Sequence, residues 1–378
     1  MEQKITFDNF IVYEKKIWFA AYEHNALYRA NTDLSDVEYI AEFPNEDYFS
    51  KRLYIQALNY EHYIIFVPHN AKKIAIYDLN SNVFKMIPFP ERYIDNRKVR
   101  AGKEQSFIQG FIYKDEVFFF PSNYRGILIL DLKKFTIEII DSWVFDVENN
   151  TSIVKDEVYL GKGEKIGNEV YLPFSCLDAI MKVELNNKKI ELIELNSGLT
   201  GYTGMNHIGD WFWLAPRKFS KILKWNYKTF QIKLLSPLYE ENCANLSVGC
   251  PLIVKNQVIF PTIRASEPFY YSINGDQAFS LDSNIKNVSY FNNKIIYDDN
   301  LQGLSEINNN EVVFFTGWDK KGHILDLDKE QEKIFDIRLQ FKDKKRMSEC
   351  YIEKLSLNVQ NEDKNDRLDD LLFALRGI

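Results

Sequence analysis

Two histidines and three arginines recur at similar places in the chain, each shortly after a short apolar segment. His24 and His69 follow two successive segments of this kind, and an imidazole can act as a general base or a metal ligand near neutral pH. Arg125, Arg217 and Arg264 follow later segments, and a guanidinium fork can hold a carboxylate or phosphate through two hydrogen bonds. The residue types therefore indicate two candidate chemistries, which are acid–base work by the histidines and binding of an anion by the arginines.

Aromatic residues occupy the same kind of loop, and we predict one ligand-binding set from all of these positions. The set is Tyr22, His24, His69, Tyr124, Arg125, Arg217, Arg264 and Trp318. For each member the alternative is structural, because arginines also pair with the Asp and Glu of neighbouring loops, and a chain rich in Tyr and Arg shows some at loop tips. For the arginines both interpretations stay open.

Familiar enzyme signatures are missing from the chain. The glycines of residues 161–167 have neither the dinucleotide-binding nor the P-loop spacing. No zinc-protease helix motif, paired-cysteine motif or serine nucleophile motif occurs, and no pair of carboxylates can be selected from spacing alone. We therefore predict no catalytic residue, no metal and no cofactor.

The apolar segments that position these residues are repeats of one pattern. The clearest copy is Trp211–Pro216, an apolar strand followed by a polar loop and a second alternating strand over residues 221–226. The apolar strands are predicted to end at Ala21, Pro68, Pro121, Pro173, Pro216, Pro261 and Thr316. Repeats of short alternating strands with a period near 40 to 50 residues are typical of a β-propeller.

The sequence predicts an all-β fold, a propeller of seven four-stranded blades over residues 1–341, with six blades and an odd module as the alternative. Residues 288–291 and 294–297 form an extra segment in the long interval between the last two repeats. Closure of the ring stays open, since residues 332–339 can complete the last blade and residues 1–7 or 350–359 can add an edge strand.

Residues 342–378 depart from the repeat. A charged linker leads to leucines at helical spacing, which predict a C-terminal amphipathic helix. The residues are Leu368, Leu371, Leu372 and Leu375. Such a helix packs on its own domain or docks to a partner.

Composition limits the functional classes. The chain has 378 residues, 46% of them hydrophobic, and a net charge of −7 without a long basic run, which argues against nucleic acid as the main partner. No apolar run is long enough to span a membrane, and the first residues lack the pattern of a signal peptide. The four cysteines have no zinc or redox spacing, although Cys243 and Cys250 are close enough to permit a disulfide. Reduced thiols in a cytoplasmic protein are the simpler interpretation.

A resemblance to a known group is carried by the ends of three predicted strands. Tyr77-Asp78, Leu130-Asp131 and Leu325-Asp326 resemble the Trp-Asp position of WD40 repeats, although the Gly-His of those repeats and the paired glycines of kelch blades are missing. Over about residues 5–340 the chain resembles the broad WD40/kelch-like propeller group without matching a subfamily. That resemblance implies binding and scaffolding most often, while some members of the group are enzymes.

We expect a cytoplasmic, non-enzymatic propeller that binds a protein, a peptide or a small anionic ligand with the loops that carry the predicted set. We expect no membrane or nucleic-acid partner. The alternative is a lyase or hydrolase that uses His24 or His69 together with Arg217 at the mouth of a central channel.

Overall fold

A computed structural model describes most of the chain. The described residues are 7–22, 24–31, 36–48, 50–92, 105–155, 157–218, 221–236, 248–254, 257–260, 269–280 and, as backbone only, 302–308, 311–315, 322–326 and 331–335.

The described strands form four-stranded antiparallel sheets, each built from four consecutive strands in chain order. The first four sheets contain β1 Ile11–Tyr13, β2 Lys16–Ala20, β3 Leu27–Asn31 and β4 Glu38–Ala41; β5 Tyr54–Tyr60, β6 Tyr63–Pro68, β7 Lys73–Asp78 and β8 Val83–Pro88; β9 Phe107–Tyr113, β10 Glu116–Pro121, β11 Ile127–Asp131 and β12 Ile137–Ile140; and β13 Glu164–Ile166, β14 Glu169–Pro173, β15 Ala179–Glu184 and β16 Lys189–Glu194. Three further sheets contain β17 Tyr202–Ile208, β18 Trp211–Pro216, β19 Ile222–Asn226 and β20 Ile232–Leu235; β21 Leu252–Val254, β22 Gln257–Phe260, β23 Phe269–Ser272 and β24 Ala278–Ser280; and β25 Gln302–Asn308, β26 Glu311–Phe315, β27 Gly322–Asp326 and β28 Gln331–Phe335. One short helix, α1 Val144–Asn149, lies between β12 and β13.

Side-chain caps shape the hairpins between the third and fourth strands. Asp78 Oδ1 accepts hydrogen bonds from the backbone N–H groups of Asn80 (2.8 Å) and Ser81 (3.3 Å). Asn82 then takes the left-handed conformation with φ of 57°, which asparagine tolerates well. Asp131 caps the corresponding turn of the third sheet in the same way. The aspartates that resemble the Trp-Asp position thus have a local structural role in these two sheets.

The core lies between consecutive sheets. The second strand of each of the first five sheets is buried almost throughout, as expected for a strand covered on both faces. A separate apolar cluster lies between each pair of consecutive sheets, from the first sheet to the sixth. A further cluster, which includes Phe7, Phe19 and Tyr28, covers the other face of the first sheet. Burial of apolar area between sheets therefore provides most of the stabilisation.

The prediction of an all-β fold with repeated four-stranded sheets is confirmed. The second strands of the second to fifth sheets end at the predicted prolines, and the first ends at Ala20, one residue before the predicted end. Several predictions concern residues outside the described ranges. They are the strand ends at Pro261 and Thr316, the extra segments at 288–291 and 294–297, and the C-terminal helix. The two suggested edge strands also lie outside these ranges, apart from Phe7. No helix among the described residues is long and apolar enough to cross a membrane.

Helix α1 is a feature that the sequence did not predict. Val144 and Val147 are buried against the core between the third and fourth sheets. Two buried residues in a six-residue helix are too few for a helical period to appear in the sequence.

Candidate binding face

Antiparallel order places two kinds of connection on one side of the sheets. The turns between second and third strands and the connections from one sheet to the next leave from the same edge, which we call the turn face. Four backbone hydrogen bonds along it join the start of one such turn to the next sheet; they are Arg52 N–H to Tyr22 O (2.6 Å), Ser106 N–H to His69 O (2.7 Å), Tyr159 N–H to Ser122 O (2.8 Å) and Tyr202 N–H to Phe174 O (2.9 Å). The residues that follow successive second strands therefore share one continuous rim.

Arg125 and Arg217 each hold a carboxylate of the turn face. Arg125 donates to both oxygens of Glu148, from Nε at 3.2 Å and from Nη2 at 2.8 Å, and the Tyr159 hydroxyl donates to the same carboxylate. Arg217 pairs through Nη2 with Glu157, and its side chain is 29% exposed. The sequence was compatible with either ion pairing or ligand binding by these arginines, and the structure shows an ion pair at both positions. An anionic ligand would have to displace Glu148 from Arg125 or Glu157 from Arg217.

A third pair on the turn face joins Arg52 to Asp8. Nε and Nη2 of Arg52 donate to the two Asp8 oxygens at 2.8 and 2.9 Å, and the Asp8 side chain is only 4% exposed. Arg52 adopts a left-handed backbone with φ of 52° and lies over the Tyr22 ring. The sequence does not reveal this pair, because Asp8 precedes the first sheet and Arg52 precedes the second.

His24 is buried among aromatic rings rather than presented on the surface. Its Nε2 lies 2.8 Å from the Tyr28 hydroxyl, and its ring packs against Tyr28 and Tyr48. Burial lowers the pKa of His24 to about 4 because the charged imidazolium would lose its hydration. His24 is therefore neutral at pH 7 and serves the packing of the first sheet.

His69 is also buried and neutral. Its Nδ1 lies 2.9 Å from the backbone oxygen of Phe107 in the next sheet. Burial, and then the charge of Arg52, lowers the pKa of His69 to about 3. Among the described residues no group of three metal-binding side chains occurs. Each of the two histidines has one buried side-chain hydrogen bond among the described residues, His24 with Tyr28 and His69 with Phe107.

Lowering the pH from 7 to 5 is expected to reduce the free energy of unfolding by about 2 kcal/mol through His24 alone. The folded-state pKa of about 4 lies below the ordinary 6.5, so this stability is complete above pH 6.5 and is lost as the pH falls towards 4. Urea unfolding at both pH values measures the loss. The His24→Gln variant keeps a partner for Tyr28 and should lose about 2 kcal/mol less than the wild type; equal losses would contradict the assignment.

The remaining members of the predicted set differ in exposure. Tyr124 is fully buried, and its hydroxyl donates to the Pro90 carbonyl at 2.9 Å, so it supports the fold and offers no contact surface. Tyr22 is half-buried beside Arg52. Arg264 and Trp318 lie outside the described residues.

One glycine just before β17 and one within it allow close packing. A Cβ on Gly201, whose φ is +118°, would lie 2.2 Å from the backbone oxygen of Ser175. A Cβ on Gly204 would lie 2.6 Å from Cβ of Cys250. These two positions therefore let neighbouring strands and loops approach closely.

Phe145 is the most exposed large apolar side chain among the described residues, at 73%. It lies on α1, which also carries Glu148, the partner of Arg125. Because Val144 and Val147 are buried, the helix is fixed to the core while Phe145 points to solvent. The sequence does not reveal Phe145, because no periodic pattern distinguishes one exposed phenylalanine in so short a helix.

Comparison with known proteins identifies the fold but no family. No family model matches the chain, and no curated protein matches it. The solved structures that it resembles are β-propellers. They include a catalytically inactive virginiamycin B lyase from Staphylococcus aureus with quinupristin, at TM-score 0.59 and 12% identity over 84% of this chain and 95% of the lyase.

Two further similar structures have other origins. The computationally designed protein Ika8 has TM-score 0.56 and 9% identity over 89% of this chain and 88% of the design. KlHsv2 with one loop replaced by a Gly-Ser linker has TM-score 0.53 and 10% identity over 88% of this chain and 99% of that chain. The protein is a β-propeller. At such identities the likeness concerns the fold alone, since one propeller fold serves many functions.

Proposed function

We propose that this propeller is a non-enzymatic binding protein that recognises a protein or peptide on its turn face. The observation that carries the proposal is Phe145, a phenylalanine 73% exposed on a helix fixed to the core. Aromatic side chains held on a rigid support are typical anchors of protein interfaces, because little conformational entropy is lost when they bind.

Two ion pairs of the turn face support the same function. The Arg125–Glu148 and Arg217–Glu157 pairs are partly exposed and leave no net charge at either position. Such pairs suit the polar rim of an interface, where charged groups of a partner can share or exchange hydrogen bonds with them. An anion clamp has weaker support, because both guanidinium groups already hold carboxylates.

The enzymatic alternative lacks a comparable observation. His24 and His69 are buried and neutral at pH 7, and Arg217 is paired with Glu157. Among the described residues no carboxylate is hydrogen-bonded to either imidazole, so neither has the partner that orients a general base.

We also infer that seven blades close one ring. Seven four-stranded sheets follow one another, and the first strands of the sixth and seventh sheets, β21 and β25, are in contact. The aromatic cluster around Phe7 and Phe19 provides an apolar face on the first sheet against which the seventh can close.

Replacing Phe145 by Ser is expected to weaken binding of a selected peptide by about tenfold or more, because an interface anchor is removed. Peptides are selected from a random displayed library on the immobilised wild-type protein, and dissociation constants are then measured by fluorescence anisotropy. Phe230→Ser is the matched control, since Phe230 is 60% exposed but lies in the turn between β19 and β20, at the opposite edge of the sheets. Equal weakening by both variants, or none by Phe145→Ser, would reject the proposal.

A further inference from the structure

His69 presents a buried acceptor atom. A carbonyl oxygen can only accept a hydrogen bond, so the 2.9 Å contact with Phe107 O places the proton on Nδ1 and the lone pair on Nε2. The His69 residue is 3% exposed, and Nε2 has no hydrogen-bond partner among the described residues. A buried acceptor of this kind favours any ligand that can donate a hydrogen bond to it.

Lys162 supplies a cation just before β13, the first strand of the fourth sheet. Its backbone is fixed, because its N–H donates to Thr203 O at 3.1 Å and its carbonyl accepts from the Met205 N–H at 2.8 Å. Its side chain is half-buried, and no carboxylate of the described residues lies within ion-pair distance of Nζ. By contrast, Arg52, Arg125 and Arg217 all have such a partner.

The strand β9 brings these two groups together. Phe107 of β9 holds the His69 ring, and Gln109, two residues further along, accepts a hydrogen bond from the Gly163 N–H at 2.8 Å. Two residues of a strand span roughly 7 Å, so Gly163, the residue next to Lys162, is held on β9 close to the place where His69 is held. After burial and the charge of Arg52, Lys162 is among the groups that lower the pKa of His69, so its charge reaches the ring.

Other charged groups leave the site positive. Asp8 and Arg52 are paired with each other by two hydrogen bonds and so add no net charge. Glu164 lies two residues beyond Lys162, and burial raises the pKa of its carboxyl to about 7, so near neutral pH it carries only part of a negative charge. Lys162 therefore remains a net cation for a ligand.

We propose that His69 and Lys162 form a binding site for a small hydroxycarboxylate, in which Lys162 binds the carboxylate and His69 Nε2 accepts a hydrogen bond from the hydroxyl. An anion without a hydrogen-bond donor would pair with Lys162 but leave His69 Nε2 without a hydrogen bond. A neutral alcohol would satisfy only Nε2. The site shares no residue with the α1 helix that carries Phe145, so either proposal can fail while the other holds.

Binding of hydroxy acids and their deoxy analogues to the whole chain tests this site. Isothermal titration calorimetry at pH 7 compares glycolate, 3-hydroxypropionate and 4-hydroxybutyrate with acetate, propionate and butyrate. Because the spacing of hydroxyl and carboxylate differs along the series, one hydroxy acid is expected to bind at least about tenfold more tightly than its analogue, as for a hydrogen bond to a buried acceptor.

Two variants assign the contacts. Lys162→Met should weaken binding of the preferred hydroxy acid by about tenfold or more, as expected when a charge-assisted hydrogen bond is lost. His69→Asn keeps a side-chain N–H for Phe107 O but removes the Nε2 acceptor, so hydroxy acid and analogue should bind alike. Lys165→Met is the control, since Lys165 Nζ donates to Ile112 O at 2.7 Å, and it should leave both affinities unchanged. Phe145→Ser should leave them unchanged as well.

Three results would overturn the proposal. They are the absence of binding by every acid of the panel, equal binding of hydroxy and deoxy acids by the wild type, and unchanged affinity in Lys162→Met. If His69→Asn does not fold, as judged by circular dichroism, the comparison of the two acid series and the Lys162→Met variant still decide.

Discussion

Replacement of Arg52 by Met is expected to lower the free energy of unfolding by about 3–5 kcal/mol, because it leaves a buried carboxylate without its counter-charge. Both oxygens of Asp8 accept hydrogen bonds from Arg52, and the Asp8 side chain is 4% exposed, so water cannot fully replace the lost donors. Urea unfolding at pH 7 measures the change.

Two comparisons separate this burial effect from a general loss of an arginine. The double variant Arg52→Met with Asp8→Asn carries no unpaired charge and should be more stable than Arg52→Met alone. Arg29→Met breaks the pair with Glu38, in which the side chains are 36% and 51% exposed, and should cost about 1 kcal/mol or less. If Arg52→Met cost no more than Arg29→Met, the Asp8 carboxylate would not depend on Arg52.

The repeating sheets could be predicted because their signal is local. The apolar run Tyr63–Pro68 is predicted to end at Pro68, and the strand of the structure ends there. A strand buried on both faces must be apolar throughout, and a tight hairpin needs residues such as Asn82 that accept positive φ. Both requirements show in a short window of sequence.

The site could be predicted only as a set of loops. His69 directly follows β6, as the sequence predicts. Its residue type, however, does not tell whether the imidazole ring enters the core or faces solvent. The outcome depends on the Phe107 carbonyl of the next sheet. Likewise, Arg52 and Asp8, or Arg217 and Glu157, meet only because neighbouring sheets pack, and no local pattern encodes such a partner. Arg264, Trp318 and the C-terminal helix stay predictions.

The two proposed binding sites, Phe145 and the His69–Lys162 pair, are held in place by different parts of the fold. Phe145 can bind a partner because its helix is fixed by Val144 and Val147, so its rigidity comes from the core. The His69–Lys162 site depends on hydrogen bonds to β9 instead, from Phe107 and Gln109. A variant that disturbs β9 should therefore affect the small-molecule site before it affects binding at Phe145.

Replacement of Trp213 by Ala is expected to lower the free energy of unfolding by about 3–5 kcal/mol, because it leaves a large cavity between the fifth and sixth sheets. Trp213 is fully buried, and its ring packs against Phe260 and Tyr271 at centroid distances of 6.4 and 5.4 Å. Lys224 Nζ lies 4.3 Å from the same ring, so the largely buried cation also loses its aromatic neighbour.

Trp211 provides the matched control, since it lies two residues earlier on the same strand, only 5.4 Å from Lys224 Nζ, but is half-buried. Trp211→Ala should therefore cost clearly less than Trp213→Ala, and Trp213→Phe should lie between them because a ring still fills part of the space. Urea unfolding followed by circular dichroism compares the three variants. Since whole proteins of this kind are stable by only about 5–15 kcal/mol, a loss of the expected size should be evident. Equal losses for Trp211→Ala and Trp213→Ala would show that the interface between the fifth and sixth sheets does not depend on the buried ring.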